Sequence, residues 1–278
     1  MTPVDTRGAV YCFTGAGYGT DPLRANYGLH VSDNEEKVHE RRHHLADDLG
    51  RAIIWMNQVH GNQVAVFTCD DDLAKLRAPD SPYPMEYGPI VADAMIIDAR
   101  EWKNAPAAAV MVADCMPILM SACGGSVVAC VHAGRGGLLS GILTRTLSLM
   151  RDLSCQMEDV RVVIGPSACG SCYEVPASMR DQAVMTHPAA YSTTSWGTPA
   201  INLQAAACEE MRMCGIQEIF VEGICTIEED TCHSHRRNPE SGRQIGVIRP
   251  YYFGDIDDSP RVLTVLRSYP TTMAAAHL

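Results

Sequence analysis

The sequence lacks a long hydrophobic run and lacks the features of a leader peptide. No segment approaches the length of a bilayer-spanning helix, and Met1 to Gly8 have neither the basic start nor the apolar stretch of a signal peptide. These two absences predict a cytoplasmic protein that makes no membrane contact.

Positive charge is also scarce. The chain carries 22 Lys and Arg residues against 33 Asp and Glu residues, which gives a formal net charge of -11. Because affinity for nucleic acid comes largely from cations that displace counterions from phosphates, this balance argues against a nucleic-acid partner.

The cysteines lack the context of a disulfide scaffold. All 12 are spread over 278 residues, so most are expected to be reduced and to pack as small hydrophobic side chains. Cys169 and Cys172 have C-x-x-C spacing, which is typical of half a zinc ribbon or of a redox pair. The sequence contains no second C-x-x-C that would complete a ribbon.

What is present is a chain that is 46% hydrophobic and 20% charged, enough to bury a substantial core. Short runs rich in branched or aromatic residues alternate irregularly with helical patterns, and no internal repeat is visible. We therefore predict a mixed α/β (α+β) fold, a layered mixed sheet flanked by helices in a single domain spanning residues 1–278. The predicted strands are Val10–Phe13, Ala52–Met56, Val64–Phe67, Ala94–Ile97, Ala107–Val112, Ile118–Met120, Val127–Val131, Val160–Ile164 and Glu218–Val221.

Three amphipathic helices are predicted, from Asp33 to Leu49, from Leu138 to Met150 and from Asn202 to Gly215. Asp33 is the expected N-cap of the first helix. Pro79 to Pro89 and Thr186 to Ala200 are expected to be loops.

Arg42 lies in the apolar stripe of the first helix. A cation in that position is either a ligand for an anion such as phosphate or one half of a buried structural ion pair.

Three segments at predicted strand ends carry reactive side chains: Asn57 to Gly61, Ala113 to Pro117 and His132 to Gly137. They supply His60, Cys115 and His132, a two-nitrogen, one-sulfur set of the kind that binds zinc with an open fourth position. The same residues allow Cys115 to act as a nucleophile with a histidine as its general base.

The segment after His132 is a glycine-rich turn leading into the helix predicted from Leu138. Backbone N–H groups and the helix dipole at such a turn favour an anion, and Arg135 adds a guanidinium. A tight turn that merely needs small residues is the competing interpretation. Near the C-terminus, His233 and His235 precede two arginines and are either ligands or part of a solvated basic loop.

Taken in order, these motifs resemble the YfiH-like polyphenol oxidase (laccase-domain) family, whose members are mostly described as purine nucleoside phosphorylases. The resemblance runs from about Asn26 to Gly246. The matching segments are N-Q-V-H-G, D-A-M, A-D-C-M-P-I-L, H-A-G, I-G-P with C-Y-E-V, N-L-Q-A, and R-R with G-R.

The resemblance implies that His60, Cys115 and His132 bind a catalytic zinc ion. It implies phosphorolysis of adenosine, inosine and 5'-methylthioadenosine, together with adenosine deamination, so the expected partners are purine nucleosides and phosphate. Copper is associated with the family through the older oxidase description, and a thiolate among imidazoles suits either Zn²⁺ or Cu²⁺.

Asn26 and Gln58 are expected to hydrogen-bond the sugar or base, while Arg42, Arg135 and Arg236 are expected to contact substrate, including its phosphate. For the proton transfers we consider Asp114 and Glu174.

The sequence departs from the family at two places of functional interest. The family usually has H-A-G-W-R-G where this chain has H-A-G-R-G-G, so Arg135 replaces a tryptophan and Gly136 replaces an arginine. His233 and His235 stand where bulky apolar or aromatic residues are usual, and the family has glycine around Cys169.

The resemblance and these departures together leave three rival functions to weigh. They are a copper-dependent polyphenol oxidase, an amidase that edits peptidoglycan precursors, and a zinc-stabilised binding protein whose catalysis has lapsed.

Overall fold

The computed structural model describes residues 9–76 and 82–251 of the protein. The strands of this part are β1 Val10–Phe13, β2 Ile53–Asn57, β3 Val64–Phe67, β4 Glu86–Val91, β5 Ala94–Asp98, β6 Ala107–Val112, β7 Met116–Ala122, β8 Val127–Ala133, β9 Arg161–Ile164, β10 Tyr191–Thr193, β11 Pro199–Ile201, β12 Glu218–Val221 and β13 Gln244–Arg249. Its α-helices are α1 Glu35–Leu49, α2 Asp70–Ala74, α3 Arg135–Leu139, α4 Ile142–Asp152, α5 Ala177–Thr186 and α6 Leu203–Met213. None of these helices has the length and hydropathy needed to span a membrane.

Most strands belong to two large sheets. One has five strands in the order β1-β13-β6-β2-β4, and the other has six in the order β12-β9-β7-β8-β5-β3, while β10 and β11 form a separate antiparallel pair. Both large sheets combine parallel and antiparallel neighbours. The predicted mixed α/β class, with helices outside the sheets, is confirmed.

The alternation of buried side chains explains why the two sheets stack between helices. Along β8, Ala129 and Val131 face α4 and α6, whereas Val128 and Cys130 face the other large sheet. Strand β6 shows the same alternation, with one set of side chains turned toward the six-stranded sheet and the other toward α1. The order of layers is therefore α1, five-stranded sheet, six-stranded sheet, then α4 and α6. Three apolar clusters fill the three spaces between these layers.

Several sequence predictions of local structure were wrong. The single helix predicted from Leu138 to Met150 is two helices, because the backbone at Gly141 adopts φ +81°, a left-handed conformation that ends one helix and begins the next. The N-cap of α1 is Asn34 and not Asp33.

The two predicted loops contain strands. β4 begins at Glu86 within the first, and its edge position tolerates Pro89 because an edge strand leaves one side unpaired. Residues 79–81 of that loop lie outside the described residues. The second predicted loop contains β10 and β11.

Candidate metal centre

One edge of the six-stranded sheet brings Cys115, His132 and Asp93 together. Cys115 immediately precedes β7, His132 is the penultimate residue of β8, and Asp93 immediately precedes β5. Because β5 and β7 both run antiparallel to β8, their first residues lie beside the last residues of β8. The backbone N–H of His132 donates to the carbonyl oxygen of Asp93 at 2.7 Å, which continues the pairing to the site.

His60 reaches the same edge from the connection between β2 and β3, where the chain crosses from one large sheet to the other. Its backbone has φ +60°, an unfavourable conformation for a non-glycine residue. The buried carboxylate of Asp93 holds this turn by accepting the backbone N–H groups of His60 at 2.9 Å and Gly61 at 2.8 Å.

The three predicted metal ligands form a compact cluster. One ligand atom from each of His60, Cys115 and His132 lies within 4.8 Å of the others. Nδ1 of His132 is 2.8 Å from Oδ1 of Asp93, so Nε2 is the ring nitrogen left for a metal ion. This carboxylate–histidine arrangement is common behind metal-binding histidines, where it fixes the tautomer and the ring orientation. The donor set and its spacing therefore fit a metal ion.

Gly134 makes the close approach of the ligands possible. A Cβ atom at this position would lie 2.8 Å from Sγ of Cys115 and 3.1 Å from Cδ2 of His60. Any larger residue would push the thiol or the imidazole away, so the glycine of the H-A-G motif serves the cluster sterically.

The electrostatics of the cluster favour a thiolate. Burial by itself raises the pKa of Cys115, but the charges and hydrogen bonds of His132 and His60 outweigh burial and lower that pKa to about 6. Burial lowers the pKa of His132, yet the neighbouring Cys115 and Asp93 overcome this effect and raise it to about 9. A thiolate is the form of cysteine that binds metal and the form that acts as a nucleophile. Both chemical interpretations of Cys115 therefore remain consistent with its surroundings.

Asp114 anchors the backbone just before Cys115. This residue has φ +94°, and its carboxylate accepts the hydroxyl of Thr226 and the backbone N–H of Arg236, each at 2.7 Å. Both carboxylate oxygens are thus engaged within the protein, which suits positioning of Cys115 better than proton transfer. Glu174, the other candidate for proton transfer, is exposed and accepts the indole N–H of Trp196 at 2.8 Å.

Asn26 and Gln58, the residues predicted to contact sugar or base, are engaged with neighbouring backbone. The buried Asn26 donates to the carbonyl of Gly28 at 2.9 Å and accepts the N–H of Arg243 at 2.8 Å. The amide of Gln58 pairs with both backbone groups of Met111, at 2.7 and 2.8 Å. The sugar- and base-binding roles of Asn26 and Gln58 stay predictions. In the structure, both side chains hydrogen-bond backbone groups of neighbouring segments.

Arg42 is buried, and its guanidinium is surrounded by protein partners. It lies 3.8 Å from the ring centre of Trp55, donates twice to the carbonyl of Tyr27 at 2.7 and 3.0 Å, and pairs with Glu86 at 3.1 Å. These contacts are those of the buried ion pair that the sequence left as an alternative to substrate binding.

Arg135 and Arg236 differ in how their side chains are used. Arg135 is half-buried at the first position of the five-residue α3, and no hydrogen bond or ion pair engages its guanidinium within residues 9–76 and 82–251. Arg236 is exposed, lies 4.7 Å from the ring centre of Tyr173 and donates to the carbonyl of Glu174 at 2.8 Å. Arg135 is therefore the cation beside Gly134 that is available to an anion.

Sequence reasoning missed Asp93 and Arg243 as contributors to this site. Asp93 is the first residue of the D-A-M motif, and its place directly before a strand was the available signal. Arg243 is half-buried, and although burial lowers its pKa, the negative charges of Cys115 and Asp114 act in the opposite direction. Its guanidinium donates to the backbone carbonyls of Ser241 at 2.6 Å and Gly242 at 3.0 Å. Only the packing of β13 beside β6 brings Arg243 near Cys115 and Asp114.

Comparisons with known proteins agree with the resemblance. Residues 13–250 match a family described as multi-copper polyphenol oxidoreductase laccase. A Mycobacterium tuberculosis protein named a purine nucleoside phosphorylase is 35% identical over 226 residues, covering 80% of this chain and 83% of its own. A Streptomyces coelicolor protein with the same name is 33% identical over 249 residues, with coverages of 87% and 95%.

Solved structures agree as well. YlmD from Geobacillus stearothermophilus has a TM-score of 0.73 at 26% identity, covering 91% of this chain and 94% of its own. The Neisseria meningitidis protein NMB0706 also has a TM-score of 0.73 at 26% identity, with coverages of 88% and 95%.

Proposed function

This chain belongs to the multi-copper polyphenol oxidoreductase laccase family, and from that membership we propose that it is a zinc-dependent purine nucleoside phosphorylase. Its proposed substrates are adenosine, inosine and 5'-methylthioadenosine with phosphate, and adenosine deamination is its proposed second activity. The observation that carries the proposal is the cluster of His60, Cys115 and His132, in which Asp93 binds the ring of His132. Arg135, whose guanidinium has no partner among the described residues, directly follows Gly134 beside this cluster.

The protein's own residues supply positioning and charge. Asp93 fixes both histidines, since it binds the ring of His132 and the backbone of His60. Arg135 and Arg243 provide positive charge for phosphate in an otherwise acidic protein. When bound, a zinc ion with a free coordination position supplies Lewis acidity.

In phosphorolysis, an oxygen of phosphate forms a bond to C1' of the ribose while the bond from C1' to the purine nitrogen breaks. The bonding electrons leave with the purine, which takes up a proton, and ribose 1-phosphate is the second product. In the deamination, Asp114 and Glu174 are the proposed proton shuttles; the carboxylate of Asp114 already accepts two hydrogen bonds, and that of Glu174 accepts one from Trp196.

The multicopper oxidase is less well supported by the donor sets. Laccase chemistry requires several coppers bound by many histidines. Among the described residues, the two clusters able to hold a metal contain two histidines and none, respectively. His233 and His235 are the only pair in the sequence with the H-x-H spacing common among copper ligands, and neither belongs to these clusters. His233 instead hydrogen-bonds Ser241 at 3.0 Å.

The test is to incubate metal-analysed protein with adenosine, with and without phosphate, and to follow adenine, ribose 1-phosphate and inosine. We expect adenine and ribose 1-phosphate only when phosphate is present, and inosine in either case. The Cys115→Ala variant should lose the metal ion of this site and both activities. If zinc-loaded wild type gives no product while Cys115→Ala keeps its full metal content, the proposed site and reaction are both wrong. Phenol oxidation confined to copper-loaded protein would support the oxidase instead.

Phosphate binding is tested separately by Arg135→Ala, with the exposed Arg145→Ala in α4 as its matched control. Losing one charge-assisted hydrogen bond costs about 1.5–3 kcal/mol, so the KM for phosphate should rise by about tenfold or more in Arg135→Ala and stay unchanged in the control. An unchanged KM in both variants would assign phosphate binding to other residues.

A further inference from the structure

A second group of metal-binding side chains lies outside the candidate active site. It consists of Cys169, Cys172, Cys225 and Glu228, and one ligand atom from each lies within 4.8 Å of all the others. We call these four residues the Cys3Glu cluster. The C-x-x-C pair therefore does have partners, which come from a later segment with no C-x-x-C pattern of its own.

The fold brings the two halves together at neighbouring strand ends. Cys169 and Cys172 follow β9, and Cys225 and Glu228 follow β12, the parallel neighbour of β9. A further parallel bridge between Ser167 and Cys225 extends this pairing beyond the strands. The carboxyl ends of parallel neighbours lie at the same edge of a sheet, so both loops are held against each other.

Each half of the cluster is a tight turn that carries a ligand at both ends. The N–H of Cys172 donates to the carbonyl of Cys169 at 3.1 Å, and the N–H of Glu228 donates to the carbonyl of Cys225 at 3.2 Å. Two ligands separated by two residues is the spacing typical of tetrahedral zinc sites. In addition, the N–H of Cys169 donates to Sγ of Cys225 at 3.4 Å, a contact that stabilises a negatively charged sulfur.

The surroundings of the thiols favour a cation over simple packing. Cys172 and Cys225 are buried, Cys169 is half-buried and Glu228 is exposed, so the sulfur atoms are largely shielded from water while the carboxylate reaches them from the surface. Three sulfur atoms and a carboxylate this close repel one another when ionised, and a divalent cation removes that repulsion.

We propose that the Cys3Glu cluster binds a structural zinc ion with four protein ligands. Tetrahedral zinc with bonds of about 2.3 Å to sulfur places its sulfur atoms about 3.8 Å apart, so only a small contraction of the observed cluster is needed. Four protein ligands leave no open position, which distinguishes this site from the three-ligand cluster at His60. Thiolates dominate the set, and soft ligands of this kind select zinc over magnesium or calcium.

The proposed zinc ion would stabilise the backbone next to the candidate metal centre. The N–H of Ala168, next to Cys169, donates to the carbonyl of Asp114 at 2.9 Å, and Thr226, next to Cys225, binds the Asp114 carboxylate at 2.7 Å. Asp114 directly precedes Cys115. Both loops of the Cys3Glu cluster therefore hydrogen-bond the residue that positions the Cys115 thiol. Zinc in the Cys3Glu cluster is therefore expected to stabilise the position of Cys115 relative to His60 and His132.

The test is the zinc content of purified full-length protein after zinc loading and removal of excess metal. Wild type should retain about two zinc ions per chain. Cys172→Ser, Cys225→Ser and Glu228→Gln should each lower the content toward about one, and Cys115→Ala should also lower it to about one. Cys208→Ser, a buried cysteine outside both clusters, is the matched control and should keep about two.

A second measurement on unmodified protein does not depend on how well the variants fold. In zinc-loaded wild type, Cys169, Cys172 and Cys225 should resist alkylation and become reactive after a strong chelator is added, as read by peptide mass mapping. The proposal is overturned if wild type holds about one zinc ion that Cys115→Ala removes. It is also overturned if two of the three cysteines form a disulfide in the native protein, which would identify a redox pair. None of these readouts requires nucleoside turnover, so failure of the proposed function would be seen separately.

Discussion

Among individual residues, Asp93 has the largest influence on the geometry of the candidate metal centre. It is fully buried, and its carboxylate binds Nδ1 of His132 and the backbone of His60 and Gly61. Burial alone raises the pKa of Asp93, but the hydrogen bonds from His132 and from the backbone of Gly61 outweigh burial and lower it. The carboxylate is therefore the ionised partner that orients the imidazole of His132 and holds the backbone of His60.

We predict that Asp93→Asn weakens metal binding by about 10–100-fold, which is typical when the residue behind a histidine ligand is changed. An amide is neutral and stabilises the metal-facing imidazole less than a carboxylate does. Competition with a chromogenic chelator measures the affinity. Asp98→Asn, at the other end of β5 and paired with Arg100 at 2.9 Å, is the matched control. Equal affinity of the Asp93 variant and wild type would contradict the assigned role.

His233 is a second residue whose surroundings matter, because they change its pKa. It is 1% exposed, and its Nε2 has no hydrogen-bond partner among the described residues. Burial, together with the positive charges of Arg24 and Arg243, lowers the pKa of His233 to about 4. The folded protein thus keeps this side chain neutral at a pH where an unfolded chain, with a histidine pKa of about 6.5, binds a proton.

This difference predicts a loss of stability in mild acid. Between pH 6.5 and 4 the unfolded state binds more protons than the folded state, so the free energy of unfolding falls as the pH falls. For the two pKa values above, the His233 contribution lost between pH 7.5 and 5 is about 2 kcal/mol. Denaturant unfolding at both pH values measures this effect. From pH 7.5 to 5, the free energy of unfolding should fall by about 2 kcal/mol less in His233→Leu than in wild type. The exposed His44→Ala variant should follow wild type, and a His233→Leu variant with the wild-type pH dependence would refute the prediction.

Among the secondary-structure elements, α1 depends on its N-cap. The side chain of Asn34 accepts the N–H of Lys37 at 3.0 Å, whereas Asp33, the residue predicted from sequence, pairs with Arg41 at 3.0 Å. Both residues favour caps, so the choice between adjacent candidates depends on where the preceding chain enters the helix. Here the side chain of the buried Asn26 donates to the carboxylate of Asp33 at 3.0 Å, so this carboxylate is engaged outside the helix.

Asn34→Ala should lower the free energy of unfolding by about 1 kcal/mol, because it leaves a helix N–H without its side-chain acceptor. Denaturant-induced unfolding followed by circular dichroism measures the change. Ser32→Ala, another exposed position before the helix, is the control and should stay within about 0.5 kcal/mol of wild type. A similar loss in both variants would show that Asn34 does not act as the cap.

The other elements show where periodicity is informative. Strands buried on both faces, such as β6 and β8, appear in the sequence as continuous apolar runs and were predicted to within two residues. β4 is an edge strand with exposed glycine and proline and lacks such a run. The division between α3 and α4 was missed because the apolar spacing of Leu139 and Leu143 continues across Gly141.

For the molecule as a whole, the arrangement of layers decides where charge and metal ligands gather. The chain has a net charge of -11, yet Arg135 directly follows Gly134, whose backbone adjoins Cys115 and His60, and the charge of Arg243 interacts with that of Cys115. Anionic substrates are therefore expected to meet a local positive potential within an acidic protein. That potential depends on two sheets stacked so that the β2–β3 connection crosses to the edge that holds Cys115 and His132.

The sequence by itself determined the mixed α/β class, most strands, the burial of Arg42 and, through its ordered motifs, the family. These properties follow from local patterns, since hydrophobic periodicity and turn residues act over a few positions. Tertiary structure alone decided that Asp93 joins His60 to His132, that Arg42 pairs with Glu86, and that the C-x-x-C pair meets Cys225 and Glu228. Those contacts join residues far apart in the chain. Their formation depends on the order and direction of strands in the two sheets, which no local pattern in one sequence encodes.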